Sequence, residues 1–333
     1  MRCTCPPAWS TRSAPTVTAA SSAWVGRARL IATCFGCSAW SEPALSRTGA
    51  VNAVGVGLAQ IGAPPGDSQA NRRRSAEAAA ALFERGAGIV VLPELCVPWY
   101  TADRAELEGE SEPLDGPTVE AWCAVAAAHD GVIIGGFCER VGSAASGVLY
   151  NSAVAVSGEG VIGHYRKLHL FDGEKLCFAP GDLGLPTFET PFGRLGMCVC
   201  YDLRFVEVVR VLALSGADLI CVPTAWIGGF DRRLDDGELI PHAQGALLQA
   251  NLSQVFIACA SQAGDFGDLH FLGSSILADP YGQVVAGPLA RDGDEWQVAR
   301  VELADAARAQ VRSELIRPRA DRRTDVYGVT LGS

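Results

Sequence analysis

The stretch GRLGMCVCYDLRFVEVVRVLALSG, residues 193–216, decides the fold class. Residues 193–200 form an apolar run that predicts a buried strand, and residues 202–216 contain helix formers and end at a glycine, which predicts a helix. The same alternation recurs along the chain. Further strands are predicted at 54–60, 88–95, 131–140, 217–223 and 254–261, and further helices at 67–87, 116–131 and 240–253. Alternating strands and helices predict a layered α/β architecture.

Consecutive strands flank this alternating region. Residues 150–167 read as two strands joined at Gly158–Gly160, and residues 274–287 and 295–303 read as late antiparallel strands. With 333 residues, of which 49% are hydrophobic, the chain can build a substantial core. We find no internal repeat and predict a single folded domain over residues 51–333.

The net charge of the chain limits the kinds of molecule that it can bind. The formal net charge is -10, although the first 50 residues hold five arginines and one acid. An acidic body repels nucleic acid and anionic membranes, so we predict a small-molecule ligand. The apolar stretch 205–227 carries Glu207, Arg210 and Asp218, so no membrane helix is predicted there. The N-terminus lacks the apolar segment of a secretory signal, which favours a cytoplasmic, reducing location with free thiols.

Residues 1–50 differ from the remainder. They are rich in Ser, Thr, Ala and Arg and show no sustained helical or strand period. We predict a disordered extension or an over-long start, with Val51 as a plausible first residue. The composition also overlaps with organellar transit peptides. Cys34 and Cys37 are poorly spaced from Cys3 and Cys5 for zinc, and we predict no metal site.

Cys200 is the first candidate for chemistry, because it lies where the strand of 193–200 meets the following helix. The strand fixes the backbone there, and N–H groups at a helix start favour a thiolate and an oxyanion. The backbone N–H of Tyr201 is well placed to face such an oxyanion. A buried core cysteine, such as Cys198, is the alternative interpretation.

Three charged residues accompany it. Glu94 ends an apolar strand, where burial would raise its pKa toward that of a general base. The chain contains only two lysines, Lys167 and Lys175, although it uses arginine freely. A compact ammonium suits a site beside a reacting carbonyl better than a guanidinium does. Glu174 lies seven residues after Lys167; each acid alone could equally be an ordinary surface residue.

Four ordered motifs together resemble the carbon–nitrogen hydrolase (nitrilase) superfamily. They are VLPEL at 91–95, YRKLHLFD at 165–172, EKLCFAPG at 174–181 and CYDLRFVE at 200–207. LYNSAVAV at 149–156, PTAW at 223–226 and GSSILADPYG at 273–282 are weaker matches. The resemblance covers residues 54 to about 300.

This resemblance implies a four-layer α-β-β-α sandwich that assembles into a homodimer or larger homo-oligomer. It implies Cys200 as nucleophile, Glu94 as general base, Lys167 as oxyanion stabiliser and Glu174 as a second glutamate that orients substrate or water. The implied reaction is hydrolysis of a C–N bond through a Cys thioester, and no cofactor is implied.

The CYDLRF sequence resembles the ω-amidase-like branch, which implies a small linear amide as substrate and leaves Arg204 to meet a substrate carboxylate or to serve a structural role. The alternatives are an N-carbamoyl hydrolase, a nitrilase and a scaffold without activity. Two departures affect substrate shape and the subunit interface. Val206 stands where this branch has proline, and Gln249–Ser253 replaces an R-A-x-E-N element.

Overall fold

The structure is a computed structural model that describes residues 53–143, 146–230 and 238–328. The extension predicted for residues 1–50 and the proposed start at Val51 lie outside these ranges. Within them, no helix combines the length and apolar character needed to cross a bilayer.

The described residues form fourteen strands, seven helices and one 3-10 turn. The strands are β1 (Val54–Gln60), β2 (Ile89–Val91), β3 (Val132–Val141), β4 (Val148–Ser157), β5 (Gly160–Arg166), β6 (Thr187–Thr190), β7 (Gly193–Met197), β8 (Leu219–Thr224), β9 (Phe256–Ser261), β10 (Ala263–Phe266), β11 (Leu269–Leu272), β12 (Ile276–Ala278), β13 (Val284–Ala286) and β14 (Glu295–Val301). The helices are α1 (Ser68–Glu84), α2 (Arg104–Glu110), α3 (Pro117–His129), α4 (Glu174–Cys177), α5 (Val206–Leu214), α6 (Pro241–Ser253) and α7 (Asp305–Arg308), and the 3-10 turn is Cys200–Arg204.

Two six-stranded sheets form the centre of the molecule. Their strand orders are β14-β1-β2-β3-β4-β5 and β13-β12-β9-β8-β7-β6. In each sheet three central strands run parallel, β1-β2-β3 and β7-β8-β9, and antiparallel strands flank them. The carboxyl ends of parallel strands lie at one edge of a sheet, so the loops after β2 and β7 can converge.

Helices cover the outer face of each sheet and complete four layers. One apolar core fills the space between the sheets and includes Val56, Leu58, Ile134, Leu195, Leu219 and Phe256. On the first sheet, α1 and α3 bury Leu82 and Trp122 against Val90 and Ile133. On the second sheet, α5 and α6 pack against β7 and β9. The predicted α-β-β-α sandwich is therefore confirmed.

The largest difference from the sequence prediction lies after Cys200. The helix expected to begin at residue 202 begins at Val206, and a 3-10 turn precedes it. Phe205 is extended between the two elements. The Asp202 carboxylate accepts the backbone N–H of Val199 at 3.0 Å, a local bond that competes with regular helix. The hairpin β10–β11 and helix α2 were not predicted.

Arg319 ties the C-terminal segment to the second sheet's helices. Its guanidinium donates to the carbonyl oxygens of Ser253 (2.7 and 3.1 Å), Gln254 (2.9 Å) and Ala213 (2.8 Å). These carbonyls lie at the ends of α5 and α6, where helices leave backbone acceptors unpaired. Burial is the main reason that the pKa of Arg319 falls to about 10, and the neighbouring charge of Arg210 adds to it.

Replacing Arg319 with Ala should lower the free energy of unfolding by about 2 kcal/mol, because charge-assisted hydrogen bonds to buried carbonyls are lost. Arg319→Lys should recover only part of this loss, since one ammonium cannot span three carbonyls. Urea unfolding measures both. Arg317→Ala is the matched control, because the exposed Arg317 side chain makes no hydrogen bond within the described ranges. Equal midpoints for Arg319→Ala and Arg317→Ala would contradict the assignment.

Candidate active site

Strand ends bring four chain segments to one point between the sheets. Glu94 follows β2, Cys200 follows β7, Lys167 follows β5, and Glu174 begins α4. The backbone N–H of Glu94 donates to the carbonyl oxygen of Thr224, at the end of β8 in the other sheet, at 3.2 Å. The structure thus joins residues that are separated by up to about a hundred positions in sequence.

A glycine on β3 permits this approach. A Cβ atom added to Gly136 would lie only 2.6 Å from the Cα atom of Glu94. Any side chain at that position would push the Glu94 turn away from the sheet. The second glycine of the VIIGGFC run is therefore required by the position of Glu94.

Lys167 lies between the two carboxylates. Its ammonium donates to Glu94 Oε1 at 2.6 Å and to Glu174 Oε1 at 2.8 Å, and the side chains of all three residues are buried. Burial lowers the pKa of the ammonium, but the charges of Glu174 and Glu94 outweigh this and raise the pKa above its usual value. Lys167 is therefore a permanent cation in a site shared by two acids.

Glu94 has the electrostatic properties of a base that works near neutral pH. Burial raises its pKa to about 7, even though Lys167 opposes the change. That value already includes a rise caused by the negative charge of Glu174 and a decrease caused by a hydrogen bond with the Cys200 thiol. Its second oxygen, Oε2, is buried and has no hydrogen-bond partner within the described part of the chain.

The backbone at Cys200 is strained. Its φ is 45°, in the left-handed region that side chains other than glycine seldom adopt. Buried Asp202 holds the turn: besides Val199, its carboxylate binds the Tyr165 hydroxyl at 2.7 Å and His169 Nδ1 at 2.8 Å. The Cys200 thiol interacts with Glu94 and with Lys167.

The resting thiol is protonated. Burial raises the pKa of Cys200 well above its usual value, and the Glu94 carboxylate adds to the effect. The Lys167 ammonium and the backbone N–H of Ala225 oppose it. We predicted that a helix start would favour the thiolate, and this was wrong, since the helix begins six residues later and burial dominates. A neighbouring base is therefore needed to remove the proton.

A cavity of about 220 Å³ opens onto Cys200. Its walls are mainly apolar and aromatic, including Tyr201, Trp226 and Phe230. Arg204 also lines it, with Nη2 3.3 Å from His242 Nε2. Both weaker candidates from the sequence, Tyr201 and Arg204, therefore lie in the cavity that contains the thiol.

Val206, which stands where the ω-amidase-like branch has proline, is the first residue of α5. Its side chain is exposed and lines this cavity. Gln249 also lines the cavity and donates from Nε2 to the carbonyl oxygen of Leu203, in the turn after Cys200. Val206 and the first residue of the second departure, Gln249, therefore lie on the wall of the cavity.

Two contacting residues were missed in the sequence. Asn151 on β4 donates from Nδ2 to Glu94 Oε1 at 2.7 Å and to Glu174 Oε1 at 3.3 Å. The Tyr100 hydroxyl donates to Glu174 Oε1 at 2.7 Å. A polar residue within the apolar strand LYNSAVAV is a signal that could have marked Asn151. Tyr100 lies in a loop and carries no comparable signal.

Known proteins resemble this chain over most of its length. The carbon-nitrogen hydrolase family model matches residues 55–310. A nitrilase from Pyrococcus abyssi is 35% identical over 223 residues, which cover 66% of this chain and 79% of the relative. An N-carbamoylputrescine amidase from Oryza sativa is 32% identical over 267 residues, which cover 74% of this chain and 85% of the relative.

A solved structure resembles the fold. It is a variant of the amidase from Nesterenkonia sp. AN1, which shows covalent addition of the acetamide moiety of fluoroacetamide at its active-site cysteine. The match has a TM-score of 0.65 and 26% sequence identity, and covers 82% of this chain and 95% of that one. Together with the family match over residues 55–310, these similarities show that the chain belongs to the carbon–nitrogen hydrolase (nitrilase) superfamily.

Proposed function

We propose that this protein hydrolyses small linear amides, releasing ammonia, with Cys200 as the nucleophile. The observation that carries the proposal is the buried cluster in which one ammonium binds two carboxylates beside a protonated thiol. A cysteine needs a base to become nucleophilic, and an attacked carbonyl needs a cation or donors for its oxyanion. The cluster supplies both.

In the acylation half, Glu94 Oε2 accepts the Cys200 proton while sulfur bonds to the amide carbon. The carbonyl π electrons move to oxygen, and the Lys167 ammonium and the Tyr201 backbone N–H stabilise that oxyanion. When the oxyanion collapses, the C–N bond breaks and Glu94 returns the proton to the leaving nitrogen. Ammonia leaves, and a thioester on Cys200 remains.

In the second half, Glu94 accepts a proton from water as the water oxygen attacks the thioester carbon. Glu174, held by Tyr100 and Lys167, helps to orient this water. Collapse of the second oxyanion breaks the C–S bond, and the proton on Glu94 returns to sulfur. The acid leaves and the resting thiol is restored.

The cavity supports the size and character of the proposed substrate. A space of about 220 Å³ with apolar and aromatic walls suits a short acyl chain rather than a polymer. Arg204 on its wall would bind a carboxylate at the far end of that chain, as the ω-amidase-like motif implies.

N-carbamoyl hydrolysis is the second candidate, favoured by the similarity to the Oryza sativa N-carbamoylputrescine amidase. The same residues could attack a carbamoyl carbon, which is also a carbonyl bonded to nitrogen. The products differ, since a carbamoyl group yields carbon dioxide as well as ammonia.

The test is a panel of amides, N-carbamoyl amines and nitriles with matched chains, each with and without a terminal carboxylate. Ammonia and carbon dioxide are measured for the full-length protein. We expect ammonia without carbon dioxide, with the highest kcat/KM for short amides. Carbon dioxide as a major product would favour the second candidate. A folded protein that is inert toward every C–N substrate would overturn the proposed function.

Two further statements remain predictions. We infer a homodimer or larger homo-oligomer from the family resemblance, and sedimentation of the purified protein would measure it. The cytoplasmic location likewise follows from the sequence alone.

A further inference from the structure

We propose that Asn151 is a positioning residue that selects which oxygen of Glu94 acts as the base. The inference deepens the proposed function and depends on it, since it concerns how the proton of Cys200 is removed. No motif role was assigned to Asn151 in the sequence. Its place in the site comes from the contacts of its side chain with both carboxylates.

The two carboxylate oxygens of Glu94 differ in their hydrogen-bond partners. Oε1 accepts hydrogen bonds from Lys167 at 2.6 Å and from Asn151 at 2.7 Å. Oε2 has no partner in the described part of the chain. Two donors on one oxygen fix the rotation of the carboxylate and leave the other oxygen as its free acceptor. Only Oε2 is then available to take a proton.

The Asn151 side chain also bridges the carboxylates of Glu94 and Glu174. The same Nδ2 group that binds Glu94 lies 3.3 Å from Glu174 Oε1. Lys167 makes the parallel pair of contacts, so the ammonium and the amide each bridge the two carboxylates. The Asn151 amide is uncharged. It therefore fixes the orientation of the carboxylates without adding a second cation to the site.

A purely structural role does not explain Asn151. Asn151 is buried, and its Oδ1 atom has no hydrogen-bond partner among the described residues. A buried acceptor without a donor opposes folding. An apolar side chain of the same size would avoid that cost on strand β4. The residue is therefore better explained by its donor than by packing.

Removing the donor has a defined effect on proton transfer. The groups that face Glu94 are the cation Lys167, the acid Glu174, the thiol of Cys200 and the phenol of Tyr100. The Asn151 amide favours the ionised form of Glu94, as a hydrogen-bond donor does for any carboxylate. Without it, the pKa of Glu94 rises above about 7, and the base is protonated over a wider pH range.

The experiment uses Asn151→Leu in the full-length chain and iodoacetamide as the probe, because it needs no knowledge of the substrate. The rate of Cys200 alkylation is followed by mass spectrometry against pH. We expect the half-maximal pH to move upward by about one unit relative to wild type. With the best amide of the panel, kcat should fall about 100-fold, as for a misplaced catalytic group.

The Michaelis constant should change little, because Asn151 is not among the residues that line the cavity. The main-chain carbonyl of Asn151 accepts the N–H of Lys167 at 2.9 Å in any variant, so Lys167 keeps its place. Asn151→Ser retains a shorter hydrogen-bond donor and should give a pH profile between those of wild type and Asn151→Leu. This second variant keeps the role testable if Asn151→Leu does not fold.

Ser152→Ala is the matched control. Ser152 is the next residue of β4, is equally buried, and donates to Glu139 at 2.6 Å instead. It should keep the wild-type pH profile even if its melting temperature falls. Unchanged alkylation and kcat in Asn151→Leu, in a preparation whose wild type labels at Cys200, would overturn this role alone. An unlabelled Cys200 in wild type would overturn the proposed function together with it.

Discussion

Cys200→Ala is expected to reduce ammonia release by about 10⁴-fold or more while leaving the protein folded. The thiol is the atom that forms the acyl bond in the proposed mechanism, and no other described cysteine can replace it. Cys96, Cys138, Cys177, Cys198, Cys221 and Cys259 are buried and Cys123 lies elsewhere on α3. Ammonia release is measured with the best amide of the panel, and folding by circular dichroism.

Labelling adds a readout that does not depend on turnover. Iodoacetamide should modify Cys200 in the wild type in preference to Cys96 and Cys177. Cys200 lies beside the carboxylate of Glu94 and opens onto the cavity. The thiols of Cys96 and Cys177 are instead buried and donate to the carbonyl oxygens of Gly136 at 3.4 Å and Ala102 at 2.8 Å. Cys123→Ala is the control and should keep full activity. Undiminished turnover in Cys200→Ala would contradict the assignment of the nucleophile.

Lys167→Met is expected to have the second largest effect, because it removes the only cation that binds the two buried carboxylates among the described residues. Breaking a buried ion pair typically costs about 3–5 kcal/mol of stability. Activity should fall about 10³-fold, because the oxyanion loses its cation and Glu94 holds its proton up to a higher pH. Urea unfolding and ammonia release measure the two effects.

The loss of stability should depend on pH. Without Lys167, burial raises the pKa of Glu94 in the folded protein further above its value in the unfolded chain, because the charge that opposed the rise is gone, so folding takes up a proton. The destabilisation is then largest above pH 7 and becomes smaller as the pH falls and Glu94 is neutralised. Lys167→Met combined with Glu94→Gln should recover part of the lost stability, since one buried charge is removed.

Lys175→Met is the matched control for Lys167→Met. Lys175 is the only other lysine in the sequence, and its side chain is exposed on α4. Its replacement should change stability and turnover little. Comparable losses in the two lysine variants would show that the position of the ammonium does not matter, and would contradict its proposed role.

Much of the fold could be predicted because hydrophobic periodicity reflects burial within one element. Helix α6 was expected at 240–253 and spans Pro241–Ser253, and the turn between β4 and β5 falls at the predicted glycines. The helix after Cys200 was placed too early. Its start depends on the bonds from Asp202 to Tyr165 and His169, which are distant in sequence and leave no local signal.

The same limit applies to the site. Cys200, Glu94, Lys167 and Glu174 could be nominated because each ends or begins an element in a motif of the resembling family. Their mutual placement became visible only in the structure, where the two sheets bring them together. The state of the thiol could not be predicted, because its pKa depends on how deeply the folded chain buries it.

The pairing of two acids with one ammonium has a consequence for product release. With Glu94 ionised, the formal charges of Glu94, Glu174 and Lys167 sum to one negative charge in a buried cluster. An uncharged amide enters without electrostatic opposition, whereas the carboxylate left by hydrolysis meets repulsion at close range. The carboxylate product should therefore inhibit the reaction only weakly. The inhibition should become weaker still at alkaline pH.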